Sequence, residues 1–381
     1  MALGPGIPCR DDVKVVTNLT INDPNISTWL PTTVVQPNPL ELNGDSRSNF
    51  PFIRFLTFVY LPIFAIWTVA MVVGDRWALF IPNGFMSLVM AAGSFVAGST
   101  SMGGGAVAFP VMTLVFDISP TVARDLSLMI QSVGMIAASA AIVIIRVPVE
   151  ERTLLWAGLG GLPGLLIGYE ILSPVLEAAV VKTLFASIVF SFGLMLWWIN
   201  RHANRFRVTG IRRFGPLVGL ELFVAGLMGG IISGILGSGI DIVVFSVLVL
   251  RFGICEKVAT PTSVILMGIN ALAGMCWGGI NGTLALEAWN YWWVCVPVVA
   301  FGAPFGAWCM SYWHRMHIVR FICTLIVIQY VSTLLILPQT PLLIIWNIFL
   351  VGFSLLLFRL FYQAYKAHRT GFGGMRRRSG G

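Results

Sequence analysis

The sequence predicts an all-α protein that crosses a membrane many times. Of its 381 residues, 57% are hydrophobic and only 10% are charged, whereas a soluble domain carries about 25% charged residues. Apolar runs long enough to cross the hydrocarbon recur along the chain, since about 20 residues suffice. Two longer apolar regions are broken by clustered glycines, near Gly103 and near Gly237. These observations predict two repeats, each with a glycine-broken re-entrant helical hairpin and three spans, and about eight full transmembrane helices in total.

The chain divides into five segments where its composition changes. The first segment is polar, which predicts a disordered tail, and it carries glycosylation sequons at Asn18 and Asn25. A loop rich in arginine and free of acids separates two apolar halves. In chain order, the predicted segments are the tail 1–50, the first membrane half 51–199 with its repeat 84–199, the basic cytoplasmic loop 200–215, the second half 216–362 with its repeat 217–337, and a basic C-terminal tail 363–381.

Each half is predicted to hold one broken element, and both halves hold unbroken spans. The broken elements cover 84–116 and 217–252, far more than one crossing needs. The predicted full spans are 52–73, 121–145, 154–172, 177–199, 258–280, 286–308, 318–337 and 342–362.

The two halves align with each other as a repeat. A shift of 136 positions places Gly98 on Gly234, Gly103 on Gly239 and Ser127 on Ser263. After a further slip of two residues, the same alignment matches a second pair of glycines, placing Gly164 on Gly302 and Gly168 on Gly306. The duplication of the glycine break within apolar sequence is a pattern typical of transporter binding sites.

The distribution of charge favours hairpins over single broken crossings. With two hairpins, the N-terminal tail, the loop 200–215 and the basic C-terminal tail share one side, as the positive-inside rule expects of the cytoplasm. With two broken crossings, the loop and the C-terminal tail would face opposite sides. Three full spans per half is an odd number, so hairpins would also invert one repeat relative to the other. We expect cytoplasmic termini, and the plasma membrane rather than an organelle.

The glycine breaks are the predicted binding site for a small anion. A helix that restarts after glycine presents unpaired amide N–H groups and a partial positive charge, and glycine lets an anion approach the backbone. The competing interpretation is that these glycines only allow helices to pack closely. The predicted substrate-binding residues are Ser99, Thr100, Ser101, Gly103, Gly104 and Gly105 at the first break, Gly237, Ser238 and Gly239 at the second, and the polar span residues Gln131 and Asn270.

Acidic residues inside the membrane are the candidates for coupling. Asp241 starts the second leg of the second element, where a carboxylate is costly unless it is paired or protonated. It is either a helix N-cap or a coupling site for a proton or cation, and one role does not exclude the other. Arg124 and Asp125 are either an interfacial ion pair or a pair whose arginine assists anion entry.

Composition argues against an enzyme and against nucleic-acid binding. The net charge of +8 comes from basic residues in loops beside spans. Six cysteines show no CxxC spacing and four histidines form no cluster. No cofactor, metal site or catalytic residue is therefore expected.

The residues around the breaks resemble the sulfite exporter TauE/SafE family of membrane permeases. The likeness rests on Gly103-Gly104-Gly105 with Pro110, and on Gly234 to Gly239 followed by Val258 to Ser263, and it covers roughly residues 84 to 337. The family departs from this chain at Arg124-Asp125-Leu126 and at Ser238 with Ile240-Asp241. The resemblance implies duplicated glycine-rich segments and the movement of sulfur-containing oxyanions.

The combined expectation is a secondary transporter that moves a small anion, sulfite or an organosulfonate, by alternating access. An anion channel and a permease for a non-sulfur carboxylate are the alternatives. The expected partners are the anion and the lipid bilayer, without nucleic acid. Coupling to a proton or cation and assembly as a homodimer remain open at this point.

Overall fold

A computed structural model gives the structure of most of the chain. The residues it describes are 56–99, 105–144, 146–201, 208–211, 214–311, 315–338 and 340–378. Within these ranges the regular secondary structure is helical, apart from one isolated bridge between Val208 and Ile254. The sequons at Asn18 and Asn25 lie outside the described residues.

Twelve α-helices are numbered here in chain order within the described residues. Short π-helical turns precede the first helix (Leu56–Tyr60) and extend the third and fifth (Val111–Val115 and Ile167–Leu172). The helices are α1 Leu61–Val73, α2 Phe80–Ser99, α3 Gly105–Pro110, α4 Pro120–Ile144, α5 Glu151–Leu166, α6 Ala178–Arg201, α7 Pro216–Leu236, α8 Ile240–Leu250, α9 Glu256–Asn281, α10 Leu286–Ser311, α11 Arg315–Ile336 and α12 Pro341–Arg378.

Seven of the described helices are long and apolar enough to cross a membrane. They are α2, α4, α5, α6, α7, α9 and α12. The chain is therefore a polytopic, all-helical membrane protein. The seven include α2 and α7, which are the first legs of the broken elements, and they do not include α10. The count of eight full spans accordingly stays a prediction.

Most predicted helix boundaries lie close to the observed ones, with two larger differences. The first broken element begins at Phe80 rather than at residue 84. Pro82 falls in the first turn of α2, where a missing N–H costs nothing, so the helix can start earlier. At the other end of the chain, α12 continues to Arg378, beyond the predicted span 342–362.

The second broken element interrupts its helix at the predicted glycines, whereas the first is described only on either side of residues 100–104. The first helix pair is α2, which ends at Ser99, and α3, which begins at Gly105. The second pair is α7 and α8, separated by three residues from Gly237 to Gly239. Gly237 has φ +79° and Gly239 has φ +155°, a backbone region that side chains with a Cβ rarely adopt. The second break therefore depends on glycine at both positions.

In each broken element, a residue at or just after the end of the second leg contacts one near the start of the first leg. The Arg251 guanidinium, just after α8, donates two hydrogen bonds of 3.0 and 3.2 Å to the Glu221 carboxylate near the start of α7. Val208 exchanges backbone hydrogen bonds with Gly253 and Cys255 across the same end. In the first element, the rings of Phe85 and Phe116 lie 4.7 Å apart.

The first leg of each element packs closely along a helix of the other half. Glycines make these contacts, because a Cβ at Gly168 would overlap the carbonyl oxygen of Ile231, and a Cβ at Gly306 would overlap that of Phe95. Phe95 and Ile231 are 136 residues apart, and the two glycines are 138 apart. We call α5 together with the π-helical turn that follows it, Ile167–Leu172, the α5 segment. The contacts of α7 with the α5 segment and of α2 with α10 thus recur at the positions that the sequence repeat matches.

The two central helices, α4 and α9, run antiparallel through the core. A Cβ at Gly268 would lie 3.2 Å from the carbonyl carbon of Met135, and one at Gly274 would lie 3.0 Å from Leu128. Residue numbers therefore rise along α9 as they fall along α4. Buried residues line nearly the whole of α4, which places this crossing at the centre of the bundle.

Candidate functional site

The second glycine break is a tight turn held by its own backbone and one serine. The Gly237 amide donates to the carbonyl oxygen of Ser233 at 2.7 Å, and the Ile240 amide donates to the Ser233 hydroxyl at 3.0 Å. A Cβ at Gly237 would lie 2.6 Å from the carbonyl oxygen of Arg124. Glycine thus lets the turn lie directly against α4.

Two polar side chains of α4 bind the backbone carbonyl of Gly237 in this turn. The Gln131 amide nitrogen donates to the carbonyl oxygen of Gly237 at 2.9 Å and to the Ser127 hydroxyl at 2.7 Å. The Ser127 hydroxyl itself donates to the same carbonyl at 3.3 Å. Gln131 is buried, and its amide oxygen has no hydrogen-bond partner among the described residues. An acceptor therefore remains available beside the turn.

Asn270 of α9 is the strongest sign of a ligand at this break. The side chain is 2% exposed, and neither its amide nitrogen nor its amide oxygen has a hydrogen-bond partner in the described part of the chain. A Cβ at Gly161 would lie 3.4 Å from the Asn270 amide oxygen and 2.5 Å from Cδ1 of Ile240. The carboxamide therefore lies beside the first residue of α8. Leaving such a group unpaired costs about 1–3 kcal/mol, which a bound polar ligand would recover.

Asp241 already occupies part of the amino terminus of α8. Its side chain is 2% exposed. Its carboxyl group accepts hydrogen bonds from the backbone of Gly239, Asp241 and Ile242. The amide groups that the sequence assigns to an incoming anion are thus engaged by a carboxyl group of the protein itself. Ser238, also a predicted site residue, is buried in the turn.

The first break is described only at its edges. Ser99 is the last residue of α2 and Gly105 the first of α3. The side chain of Ser99 and the predicted residues Thr100, Ser101, Gly103 and Gly104 lie outside the described residues. Their role in binding remains a prediction.

The Arg124–Asp125 pair lies next to the second break and is buried within the protein. Arg124 is 6% exposed and Asp125 is 1% exposed. The guanidinium donates to Oδ1 of Asp125 at 2.7 and 2.8 Å and to the Ser173 hydroxyl at 2.6 Å. It also lies over the ring of Tyr169, 3.9 Å from its centroid. The pair therefore links the start of α4 to the end of the α5 segment.

The same cluster reaches the loop between α9 and α10. The second carboxylate oxygen of Asp125 accepts a hydrogen bond from the Ala285 amide at 3.0 Å. The hydroxyls of Tyr169 and Thr283 lie 3.1 Å apart. We call Arg124, Asp125, Tyr169, Ser173, Thr283 and Ala285 the ionic closure. It covers the second break at the end of the bundle where α9 ends.

A second closure lies at the opposite end of α4 and of α9. The Glu150 amide donates to the Thr262 hydroxyl at 3.0 Å, and the Ile211 amide donates to the Glu150 carboxylate at 3.3 Å. Burial raises the pKa of Glu150, and the Ile211 amide and the charge of Arg152 oppose that shift. We call Glu150, Thr262 and Ile211 the neutral closure, because its two hydrogen bonds involve no ion pair.

Sequence reasoning named Gln131, Asn270, Gly237, Gly239 and Asp241, and the structure brings them to one break. It used Ser127 only to align the repeats. Ser127 had a usable signal, because it lies four residues before Gln131 and so shares its helix face. Among the described residues no group of three or more His, Cys, Asp or Glu side chains could hold a metal ion.

The chain forms a bundle of apolar helices with a glycine-broken segment, and buried amide and hydroxyl side chains lie at that segment. This arrangement defines a membrane permease. The chain belongs to the sulfite exporter TauE/SafE family, whose model matches residues 85–333, more than half of its length. The resemblance seen in the glycine motifs is thereby confirmed. No curated protein and no solved structure matches the chain. Family membership makes it a membrane transport protein for sulfur-containing anions.

Proposed function

We propose that this protein is a secondary transporter for a small sulfur-containing oxyanion, sulfite or an organosulfonate, and that the anion binds at the second glycine break. The observation that carries the proposal is Asn270, whose buried amide has no partner among the described residues and lies beside the start of α8. A polar ligand at that point would restore the missing hydrogen bonds.

The groups around the break suit a compact oxyanion. The Asn270 amide nitrogen is a hydrogen-bond donor, and the start of α8 carries the positive end of a helix dipole. The backbone of Arg124 lies against the break, because its carbonyl oxygen contacts the Gly237 position. The first break, residues 99–105, is proposed to complete the site from the other half of the protein.

We further propose that both broken elements are re-entrant hairpins and that the repeats are inverted. The Arg251–Glu221 pair supports this, because it joins the end of α8 to the beginning of α7. The antiparallel α4 and α9 give a second argument, since these helices match at a shift of 136. A single broken crossing between them would make the two helices parallel.

The two closures fit alternating access. The ionic closure joins α4, the α5 segment and the α9–α10 loop at one end of the bundle. The neutral closure joins the α4–α5 loop, α9 and the loop before α7 at the other. Opening one closure while the other holds would expose the break to one side at a time. The neutral closure lies at the end of loop 200–215, which we assign to the cytoplasm of a plasma-membrane protein together with both termini.

The test is transport by the purified protein in liposomes, with radiolabelled sulfite as the probe. Asn270→Leu removes both amide atoms and should lower sulfite flux at least tenfold, since about 1.4 kcal/mol is a factor of ten. Asn281→Leu on the same helix is the matched control, because Asn281 is exposed and bonds only to its own helix turn. Flux by Asn270→Leu equal to that of the control would contradict the site, and flux that never saturates would indicate a channel.

A further inference from the structure

The amino terminus of α8 holds a negative group supplied by the protein. The backbone of Gly239, Asp241 and Ile242 donates to the Asp241 carboxyl group, while the Ile240 amide donates to Ser233. An oxyanion that binds the start of α8 needs these same amides. The carboxylate and the substrate therefore compete for the same backbone hydrogen-bond donors.

We propose that the ionised Asp241 side chain acts as an internal substitute for the anion, so that each oxyanion binds together with one proton on Asp241. This inference rests on the proposed function and names its coupling ion. The proton converts the carboxylate to a carboxylic acid, no other bond is made or broken, and the vacated amides pass to the oxyanion.

Charge gives the reason for the exchange. Asp241 is 2% exposed and belongs to an apolar helix. Two negative groups sharing such a place would repel strongly, because the local dielectric is low and neither is solvated. Neutralising one of them removes most of that cost. The proton is the smallest partner that can do so in a buried site.

The side chains around the break are suited to the protonated state. Gln131 and Asn270 are both buried, and each has an amide oxygen without a donor among the described residues. A carboxylic acid brings an O–H donor that a carboxylate does not have. The Asn270 amide nitrogen remains for the anion. The break therefore holds two amide oxygens and one amide nitrogen that have no hydrogen-bond partner among the described residues.

No other charged group in the described residues is placed to take over this role. At the end of α8 near the break, the charged side chains are already paired, Arg124 with Asp125 and Lys182 with Asp117, and Glu170 accepts a hydrogen bond from Trp277. Among the side chains that the structure describes, the remaining charged ones on the helices that pack against α8 lie toward its other end, near Arg251: Glu221 on α7, Glu256 and Lys257 on α9, and Arg359 on α12.

The experiment measures anion binding and proton uptake together, using purified protein in weak buffer between about pH 5 and 8. Methanesulfonate is the main probe because it stays ionised over this range, with sulfite and sulfate beside it. For the wild type we expect one proton taken up per anion bound, and an affinity that falls about tenfold per pH unit above the titration of the carboxyl group. Asp241→Asn should bind with an affinity independent of pH and take up no proton.

Asp117→Asn is the matched control, since that carboxylate is exposed on the loop before α4, and it should keep the wild-type pH dependence. Anion binding by the wild type without proton uptake would overturn the inference, as would wild-type pH dependence in Asp241→Asn. If that variant does not fold, the proton count of the wild type decides alone. Failure of the wild type to bind any of the three anions at any pH would instead overturn the proposed function.

Discussion

The two glycine-broken elements share their packing but not their polar surroundings. Gly98 lies against the backbone of Ala303, and Gly234, its match at a shift of 136, lies against the backbone of Leu165. Each first leg therefore docks on the other half in the same manner. The same shift matches Gln131 with Met267 and Asn270 with Gly134, so the polar pair at the second break has apolar counterparts.

This difference indicates that the repeat preserves the close packing, while the buried amide side chains at the matched positions belong to the second break only. Close helix packing needs glycine wherever two backbones meet, whatever is bound there. Amide side chains buried without partners reduce stability, so a chain gains by holding them only where they serve a ligand. The second break is accordingly the better candidate for the part of the site that discriminates between substrates.

The closures differ in the same way. The ionic closure contains a buried ion pair, whereas Arg124 and Asp125 match Thr260 and Pro261 at a shift of 136. The neutral closure relies on the Thr262 hydroxyl and the Glu150 side chain. One end of the bundle is thus held by a buried ion pair and the other by hydrogen bonds without an ion pair, which makes their responses to mutation distinguishable.

The largest expected effect is on the ionic closure. Arg124→Gln should lower the free energy of unfolding by about 3–5 kcal/mol, because it leaves the Asp125 carboxylate buried without its cation. Arg124→Gln combined with Asp125→Asn should recover part of the loss, since no bare charge remains. Thermal unfolding in detergent measures both. Arg251→Gln is the control, because its pair with Glu221 is more exposed and should be worth no more than about 1 kcal/mol. Equal losses for the two arginines would show that burial of the Arg124–Asp125 pair adds nothing to its contribution to stability.

The contrast between the closures also marks the limit of sequence reasoning. Glycine breaks, the repeat and most helix ends can be predicted because they are local properties of the chain. Glycine can be recognised directly in the sequence, and it is the residue that adopts φ above zero and has no side chain. The burial of Arg124 is not local. It follows from the end of the α5 segment and the α9–α10 loop, which supply Ser173 and Ala285 from distant parts of the chain. Likewise, the sequence shows only that Asn270 is a polar residue within a predicted span. Its position beside Ile240 follows from the packing of the helices.

An intermediate effect is expected from making the second break resemble the first. Gln131→Met supplies the residue found at the matched position 267 and removes the hydrogen bond to the Gly237 carbonyl. Loss of one partner from a buried pair costs about 1–3 kcal/mol, so sulfite affinity in the liposome assay should fall about tenfold. Ser139→Ala on the same helix is the control, because its hydroxyl bonds only to its own helix turn. Unchanged affinity in Gln131→Met would mean that the two breaks do not differ in function.

The smallest effect concerns Glu150 in the neutral closure. Burial raises its pKa in the folded protein, so folding favours the neutral carboxyl group. That stabilisation is fully present below the unfolded pKa of about 4.3 and is lost as the pH rises through the folded value. Glu150→Gln stays neutral and keeps an acceptor for the Ile211 amide. Its melting temperature should therefore match that of the wild type in acid and exceed it at neutral pH. The gain in the free energy of unfolding should be no more than the roughly 1 kcal/mol of one net hydrogen bond.

The control is Glu151→Gln at the neighbouring residue, whose side chain is exposed, because it shows what removing one negative charge does by itself. A melting difference that grows toward acid would show that the carboxylate is the form the closure holds, and the two closures would then both depend on charge.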